Sequence, residues 1–207
     1  MDAERVSRLG LEPGLVLAPP VLTILERDDA YRHARETAVR LLAARPRSIA
    51  ELRERLRRAG VPAEPAAAVV GHLADAGYLD DLEFARSWVR GRLATHPCGL
   101  LRLRSELREK GVPSSLIEQA IREVHGEEDV ADAEERRARD VAVRRLHAYA
   151  HLPWEARVRR LAGVLQRRGF AAQTIVRVLR TVQRQGAAGG RPEVLRQTGS
   201  DRGDTDA

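Results

Sequence analysis

One stretch of the chain contains a helix end, a turn and a helix start: Gly77-Tyr78-Leu79-Asp80-Asp81-Leu82-Glu83-Phe84-Ala85-Arg86-Ser87-Trp88-Val89. Gly77 can adopt the left-handed conformation that ends a helix. Asp80 is a favourable N-cap, because its carboxylate can accept a hydrogen bond from the first turn, and Glu83 can complete a capping box with it. The stretch therefore predicts two helices joined by a tight turn.

The second of these helices has a predicted buried face. Phe84, Trp88 and Val89 recur at helical spacing, which is typical of an inward-facing stripe. Leu79 and Phe84 occupy the two positions of a hydrophobic staple, which would fix the angle at which the chain enters the helix. Aromatic residues make up only 3% of the chain, so the rest of the core must be aliphatic.

A three-helix block is predicted to occur three times. Relative to Gly60, Gly111 and Gly169, apolar residues stand eleven, eight and four positions before each glycine. They are Ile49, Leu52 and Leu56, then Leu100, Leu103 and Leu107, then Val158, Leu161 and Leu165. Helical amphipathicity alone would not repeat the same offsets from a glycine. We therefore predict an all-α fold of three tandem, helix-turn-helix-like repeats that form an elongated, curved body.

The ends of the chain lack this pattern. Proline and glycine punctuate the beginning, where Val21 and Leu22 could form short extended pieces, and the last residues have no apolar period. We predict an irregular N-terminal segment over residues 1–30 and a disordered tail over residues 186–207. Between them, the three blocks cover residues 31–77, 78–126 and 127–185.

Charge and composition narrow the function classes. The net charge of +6 and the pI of about 10.5 favour an acidic partner surface or nucleic acid. Cys98 is the only cysteine, which excludes an intrachain disulfide and a thiolate zinc site and fits a reducing compartment. No apolar run is long enough for a membrane span, and no signal peptide is evident. We expect a cytoplasmic protein without a membrane partner.

No constellation of residues indicates catalysis or metal binding. Asp80 and Asp81 are adjacent and would diverge on a helix start, and the capping role already explains Asp80. His147 and His151 have a metal-compatible spacing, but Pro153 follows and no third ligand is evident. We therefore predict no catalytic residue, no metal ligand and no cofactor.

Basic residues beside two of the apolar stripes are the candidate binding residues. They are Arg102, Arg104, Arg108 and Lys110 in the second block, and Arg157, Arg159, Arg160, Arg167 and Arg168 in the third. The planar fork of arginine suits bidentate binding of carboxylate or phosphate. The alternative is a solvated face of mixed charge that only keeps the protein soluble, and Glu106 and Glu109 favour it.

Several of these motifs, in this order, resemble the RecX family, the regulators of the bacterial RecA recombinase. The resemblance covers about residues 31–185. The motifs are Arg47-Ser48 with Glu51-Leu52 and Leu56, Gly77-Tyr78-Leu79-Asp80-Asp81 with Phe84-Ala85, Gly99 with Glu106-Leu107, Lys110-Gly111-Val112, and Arg168-Gly169-Phe170.

The resemblance implies a non-enzymatic, all-helical modulator that acts in DNA repair and recombination. Such a protein lies along the filament of recombinase and single-stranded DNA, and it suppresses ATP hydrolysis and strand exchange or favours loss of the filament. The ATPase belongs to the partner. The implied partners are the RecA filament and single- or double-stranded DNA, and we expect a monomer. The alternative is a helical nucleic-acid-binding protein that acts without a recombinase, which steep salt dependence in the absence of recombinase would indicate.

Overall fold

The computed structural model describes residues 16, 18–126 and 128–188. Within these ranges it contains nine α-helices and no strand, which confirms the predicted all-α fold. In chain order they are α1 (Pro19–Ala44), α2 (Ile49–Arg58), α3 (Ala63–Asp75), α4 (Asp81–Thr95), α5 (Leu100–Glu109), α6 (Ser114–His125), α7 (Val130–Ala148), α8 (Trp154–Arg167) and α9 (Ala172–Ala188). None of these helices is long and apolar enough to span a bilayer.

The three repeated glycines occupy the same setting in each block. Gly60, Gly111 and Gly169 follow α2, α5 and α8 with φ angles of 78°, 75° and 77°. After each, the next amide donates back to the leucine that ends the apolar stripe, at 3.1, 3.1 and 3.2 Å. This is the Schellman arrangement, which satisfies carbonyls that a helix end leaves without partners. The predicted tandem repeat is confirmed, whereas its boundaries at residues 77/78 and 126/127 stay predictions.

The predicted irregular N-terminal segment is wrong for residues 19–30, because α1 begins at Pro19. Pro19 and Pro20 occupy the first two helical positions, where a missing N–H costs nothing and the fixed φ suits the helix. They therefore begin a helix, and Val21 and Leu22 lie within it. At the other end α9 continues to Ala188, so residues 186–188 of the predicted tail are helical. Residues 1–15, 17 and 189–207 lie outside the described ranges.

The chain divides into two compact units: Met1–His96 with Leu101–Val130, and Pro97–Leu100 with Ala131–Ala207. In the first unit α1 packs on α3 and α4 packs on α6. One core cluster there is aliphatic and contains Ala34, Ala38, Leu52, Leu56, Val61, Ala66, Val69, Val70 and Leu79. The core of the second unit contains Ala138, Val141, Ala142, Leu165, Phe170, Ile175, Val178 and Val182.

The predicted inward stripe of α4 is correct for two of its three residues. Phe84 and Val89 are buried. Trp88 is only half-buried, because its indole Nε1 donates to the carboxylate of Glu106 at 3.1 Å and so stays at the surface.

The cap predicted at Asp80 is present, and Ser48 forms a second side-chain cap at the start of α2. Asp80 accepts from the amides of Leu82 and Glu83 at 2.8 and 3.1 Å, and Ser48 accepts from the amide of Glu51 at 3.0 Å. The carboxylate of Glu83 does not complete the expected box with Asp80; it accepts from Ser87 at 3.2 Å instead.

Two buried carboxylates cap helices from a distance. Asp81, which is 8% exposed, accepts from the amide of Ile49 at 2.8 Å. In the second unit Glu134, which is 3% exposed, accepts from the amide of Leu100 at 2.7 Å and from the hydroxyl of Thr174 at 2.9 Å. Ile49 and Leu100 are equivalent repeat positions, each the first residue of its helix. A carboxylate from the helix that opens the following block therefore satisfies an amide for which the helix itself has no acceptor.

Close backbone contacts accompany both of these caps. The hydroxyl of Ser48 donates to the carbonyl of Lys110. Gly99 occupies the repeat position equivalent to Ser48, and its backbone amide donates to the carbonyl of Arg168 at 2.9 Å. A Cβ on Gly111 would overlap the Cβ of Ala50. Small residues are therefore required where the start of one second helix meets the end of the next.

Gly60 and Gly111 provide a matched test of this close contact. Both have a φ that disfavours alanine, but no atom lies within 4 Å of a Cβ on Gly60. Gly60→Ala should lower the free energy of unfolding by about 1–2 kcal/mol, the cost of a left-handed alanine. Gly111→Ala should cost roughly 1–3 kcal/mol more, because the added methyl overpacks against Ala50. Denaturant unfolding measures both, and equal losses would contradict the contact.

Candidate interface on the basic helices

Of the three candidate residues on α5, two are exposed and one is half-buried. Arg102 and Arg108 are exposed, and Nε of Arg102 lies 2.9 Å from Glu106. Arg104 is half-buried and donates through two nitrogens to the two carboxylate oxygens of Glu118 on α6, at 2.7 and 2.8 Å. Such a bidentate pair fixes the guanidinium plane, so Arg104 ties α5 to α6.

Glu106 is the centre of a charged cluster on the same helix. Its carboxylate accepts from Arg92 on α4, from Arg102 and from the indole of Trp88. Hydrogen bonding by Arg92, supported by Arg102 and Trp88, lowers the pKa of Glu106 to about 2, against the opposing effect of burial. Glu106 therefore stays ionised and holds these side chains in place.

Lys110 is held at both its backbone and its ammonium. Its carbonyl accepts from Ser48, and its Nζ lies 4.1 Å from the centroid of the Trp88 ring. A cation at this distance over an indole is attracted by the negative face of the ring. Lys110 thus covers the aromatic ring that the sequence pattern places in the core.

The candidate residues on α8 and at its C-cap also include half-buried and exposed side chains. Arg157 is half-buried and donates to the carbonyl of Leu152 at 2.7 Å and also to that of Ala150. It thereby fixes the turn before α8, whose N-cap, Pro153, provides no side-chain acceptor. Arg168 is also half-buried and donates to the carbonyl of Pro97 at 3.1 Å.

The remaining three arginines of α8 are exposed. They are Arg159, Arg160 and Arg167. Arg160 lies 5.9 Å from the centroid of the Tyr149 ring. Arg160 and Arg167 share a face with Gly163 between them, and a terminal nitrogen of Arg167 lies 3.2 Å from where a Cβ of that glycine would be. This face presents guanidinium groups beside an uncrowded backbone.

The nine predicted residues therefore separate into two structural classes. Arg104, Lys110, Arg157 and Arg168 are half-buried and fix local structure, whereas Arg102, Arg108, Arg159, Arg160 and Arg167 are exposed. The exposed residues of α5 lie in the first unit and those of α8 in the second. Each set forms a separate candidate surface.

Three further exposed arginines on α9 are not among the residues predicted from the sequence. They are Arg177, Arg180 and Arg184. The sequence signal that could have found them is the composition of this helix, which contains no acidic residue. The prediction considered only the second helix of each block, α2, α5 and α8, and therefore did not include α9.

A charged groove of about 660 Å³ lies in the first unit. It is lined by residues of both charge signs, among them Arg55, Arg58, Trp88, Glu106 and Arg108. In the described ranges, no group of three His, Cys, Asp or Glu side chains is placed to hold a metal ion. Nδ1 of His147 lies 3.1 Å from the carbonyl of Val143, one turn earlier on α7.

The depressed pKa of Glu106 gives a pH-dependent contribution to stability. Between the ordinary pKa near 4.5 and the folded value of about 2, the unfolded chain binds a proton that the native state does not. The contribution is therefore complete above about pH 4.5 and is lost as the pH falls towards 2. Glu106→Gln should lower the free energy of unfolding at pH 7 by about 1–2 kcal/mol after allowance for solvent screening, and this loss should shrink as the pH falls.

Urea unfolding of parent and variant between pH 7 and pH 2.5 measures this effect. Glu109→Gln, at an exposed position of the same helix, is the matched control and should change stability little at any pH. A loss for Glu106→Gln that stays constant across the range would contradict the account of this cluster.

Similarity to known proteins is continuous over the three blocks. Models of the first, second and third three-helix domains of RecX match residues 34–73, 80–121 and 132–179. Regulatory protein RecX of Streptomyces coelicolor is 38% identical over 154 residues, which cover 73% of this chain and 78% of the relative. Regulatory protein RecX of Thermobifida fusca is 38% identical over 154 residues, 74% of this chain and 80% of the relative.

Solved structures show the same fold. The crystal structure of RecX from Lactobacillus salivarius superposes with a TM-score of 0.66 at 18% identity, covering 75% of this chain and 98% of that one. A crystal structure of regulatory protein RecX has a TM-score of 0.68 at 20% identity, covering 84% of each chain. The domain matches, together with 38% identity over most of the length of these relatives, show that this chain belongs to the RecX family of regulatory proteins.

Proposed function

We propose that this protein is a non-enzymatic modulator of the RecA recombinase in the cytoplasm. It binds the filament of recombinase and DNA and suppresses its ATP hydrolysis and strand exchange during DNA repair and recombination. Membership of a family named for regulation supports this proposal. The reaction itself belongs to the recombinase, and this chain contributes a binding surface.

The observation that carries the proposal is the exposed arginine face of α8. Arg159, Arg160 and Arg167 are exposed, while Leu161 and Leu165 of the same helix are completely or almost completely buried. Half-buried Arg157 and Arg168 hold the two ends of the helix through backbone carbonyls. The exposed guanidinium groups are therefore presented on a helix fixed at both ends, which reduces the entropy lost on binding.

The chemistry of these side chains suits a filament surface. Guanidinium groups bind carboxylates and phosphates bidentately, and a nucleoprotein filament offers phosphates along its DNA. On α5, exposed Arg102 and Arg108 provide a second surface of the same kind. Arg102 also pairs with Glu106, but that carboxylate has further donors in Arg92 and Trp88, so Arg102 can exchange the pair for a filament contact without leaving Glu106 unpartnered.

Charge reversal on α8 tests the proposal. The triple variant Arg159→Glu, Arg160→Glu, Arg167→Glu should fold, because exposed substitutions usually change stability by less than about 0.5 kcal/mol each. It should need at least roughly tenfold more protein for half-inhibition of the recombinase ATPase on single-stranded DNA, since each charge-assisted contact is worth about 1.5–3 kcal/mol. The salt dependence of inhibition should also become shallower.

The matched control is Arg40→Glu, an exposed arginine of α1 outside both candidate surfaces, which should inhibit like the parent. Circular dichroism and thermal unfolding check that all variants are folded. If the folded triple variant inhibits as the parent does at every salt concentration, the α8 face does not bind the filament. A parent protein without effect on ATPase or strand exchange would refute the proposed function itself.

A further inference from the structure

The third helix of the last block differs in charge from its two counterparts. In the first block α3 contains Glu64 and Asp75 and no arginine or lysine. In the second block α6 contains Glu118 and Glu123 against Arg122. In the third block α9 contains three arginines and no acidic residue, so the net charge of this repeated element changes from −2 to −1 to +3. The shared fold requires no such change, because no charged residue is buried in any of the three helices.

The two faces of α9 are sharply separated. Thr174, Ile175, Val178 and Val182 are buried and belong to the inner face. The outer face is exposed and contains Gln173, Val176, Arg177, Arg180, Gln183 and Arg184. Val176, 46% exposed, is an apolar residue among polar neighbours near the beginning of the helix.

The basic residues of this face are ordered along the helix axis. Nε of Arg177 lies 3.0 Å from the carboxylate of Glu135 on α7, so its guanidinium is held from one side. Arg180 and Arg184 follow one and two turns later and are exposed. At a rise of 1.5 Å per residue, the backbone positions of the three arginines are therefore about 4.5 and about 6 Å apart along the axis.

The surroundings of α9 reinforce its charge. Among the described residues of the second unit, nine arginines are exposed, and the exposed acids are Asp132, Asp140 and Glu155. Glu134 and Glu135, the other two acids among these described residues, are buried and half-buried. Within the described part of this unit, arginine thus outnumbers acidic residues at the surface, and a polyanion would be attracted to it.

We propose that the outer face of α9 binds the major groove of double-stranded DNA without help from the recombinase. Arg180 and Arg184 contact backbone phosphates, and Gln173 and Val176, near the N-terminus, face base edges. A glutamine amide can pair with adenine, and an apolar side chain can contact the methyl group of thymine. This placement matches the way the N-terminal residues of a recognition helix contact bases while basic residues fix its position on the backbone.

The composition of the face favours duplex DNA over other anionic partners. Binding of single strands relies on aromatic side chains that stack on bases, and α9 contains none. The major groove, about 12 Å wide, admits a single α-helix of about 10–12 Å diameter. For an acidic protein surface the arginines alone would suffice, whereas Gln173 and Val176 offer the contacts that base edges need.

Fluorescence anisotropy with a labelled 20-base-pair duplex, in the absence of recombinase, tests the proposal. The double variant Arg180→Gln, Arg184→Gln should weaken duplex binding at least tenfold at low salt. It should also reduce the slope of log K against log salt by about 2, because each lost phosphate contact removes about 0.9 from the slope. The matched control is Arg57→Gln, Arg58→Gln, which removes two neighbouring exposed arginines from α2 and should bind like the parent.

Two further probes distinguish the other partner classes. A single strand of the same length bound more tightly than the duplex would overturn the proposal, as would a polyglutamate peptide bound equally well. The proposal also fails if the parent does not bind duplex at low salt, or if the folded double variant binds like the parent.

The inference does not depend on the proposed function, and the two can fail separately. The double variant should inhibit the recombinase ATPase on single-stranded DNA as the parent does. Loss of duplex binding with intact inhibition supports the α9 proposal. Duplex binding by a parent that has no effect on the recombinase would refute only the proposed function, and inhibition by a parent that does not bind duplex would refute only the α9 proposal.

Discussion

The hydrogen bond between a buried carboxylate and the first amide of a second helix is the interaction on which this structure depends. Asp81 accepts from Ile49, and Glu134 accepts from Leu100, in each unit at the same repeat position. Burial raises the pKa of Asp81, and the amide of Ile49 opposes that shift by stabilising the ionised carboxylate. Neither partner could be removed cheaply, since the other would be left buried without its hydrogen bond. The bond therefore holds the first residue of each of these helices, Ile49 and Leu100, against a carboxylate of its own unit.

The basic residues of the second helices have two roles that follow from this arrangement. Arg104, Lys110, Arg157 and Arg168 are used in local contacts, to a carboxylate, an aromatic ring and backbone carbonyls. Because these contacts hold the helices, the exposed arginines beside them are presented from an ordered framework. A binding surface supported in this way loses less conformational entropy when it meets a partner. The same reasoning extends to α9, whose inner face is committed to the core of the second unit.

Local signals in the sequence predict local structure well here. The offsets around three glycines predict the repeat, and the cap by Asp80 follows from its position before α4. The cap by Asp81 could not be predicted, because its amide partner lies 32 residues away and nothing local distinguishes the two adjacent carboxylates. Apolar spacing assigns Trp88 to the core, because spacing takes no account of its indole N–H or of Glu106, which lies 18 residues away. For the same reason a sequence pattern does not separate half-buried arginines from exposed ones, since their acceptors come from other elements.

Native-state hydrogen exchange at Ile49 and Leu100 tests the central role of the carboxylate caps most directly. The first amides of a helix have no acceptor within it and normally exchange rapidly. Ala63 is the internal reference, because it is the first residue of α3 and its N-cap, Pro62, provides no side-chain bond. The account predicts that the amides of Ile49 and Leu100 exchange at least about 100-fold more slowly than that of Ala63 after correction for intrinsic rates. Their hydrogen bonds to the carboxylates would break only when a larger part of the structure unfolds. Exchange at Ile49 and Leu100 as fast as at Ala63 would contradict it.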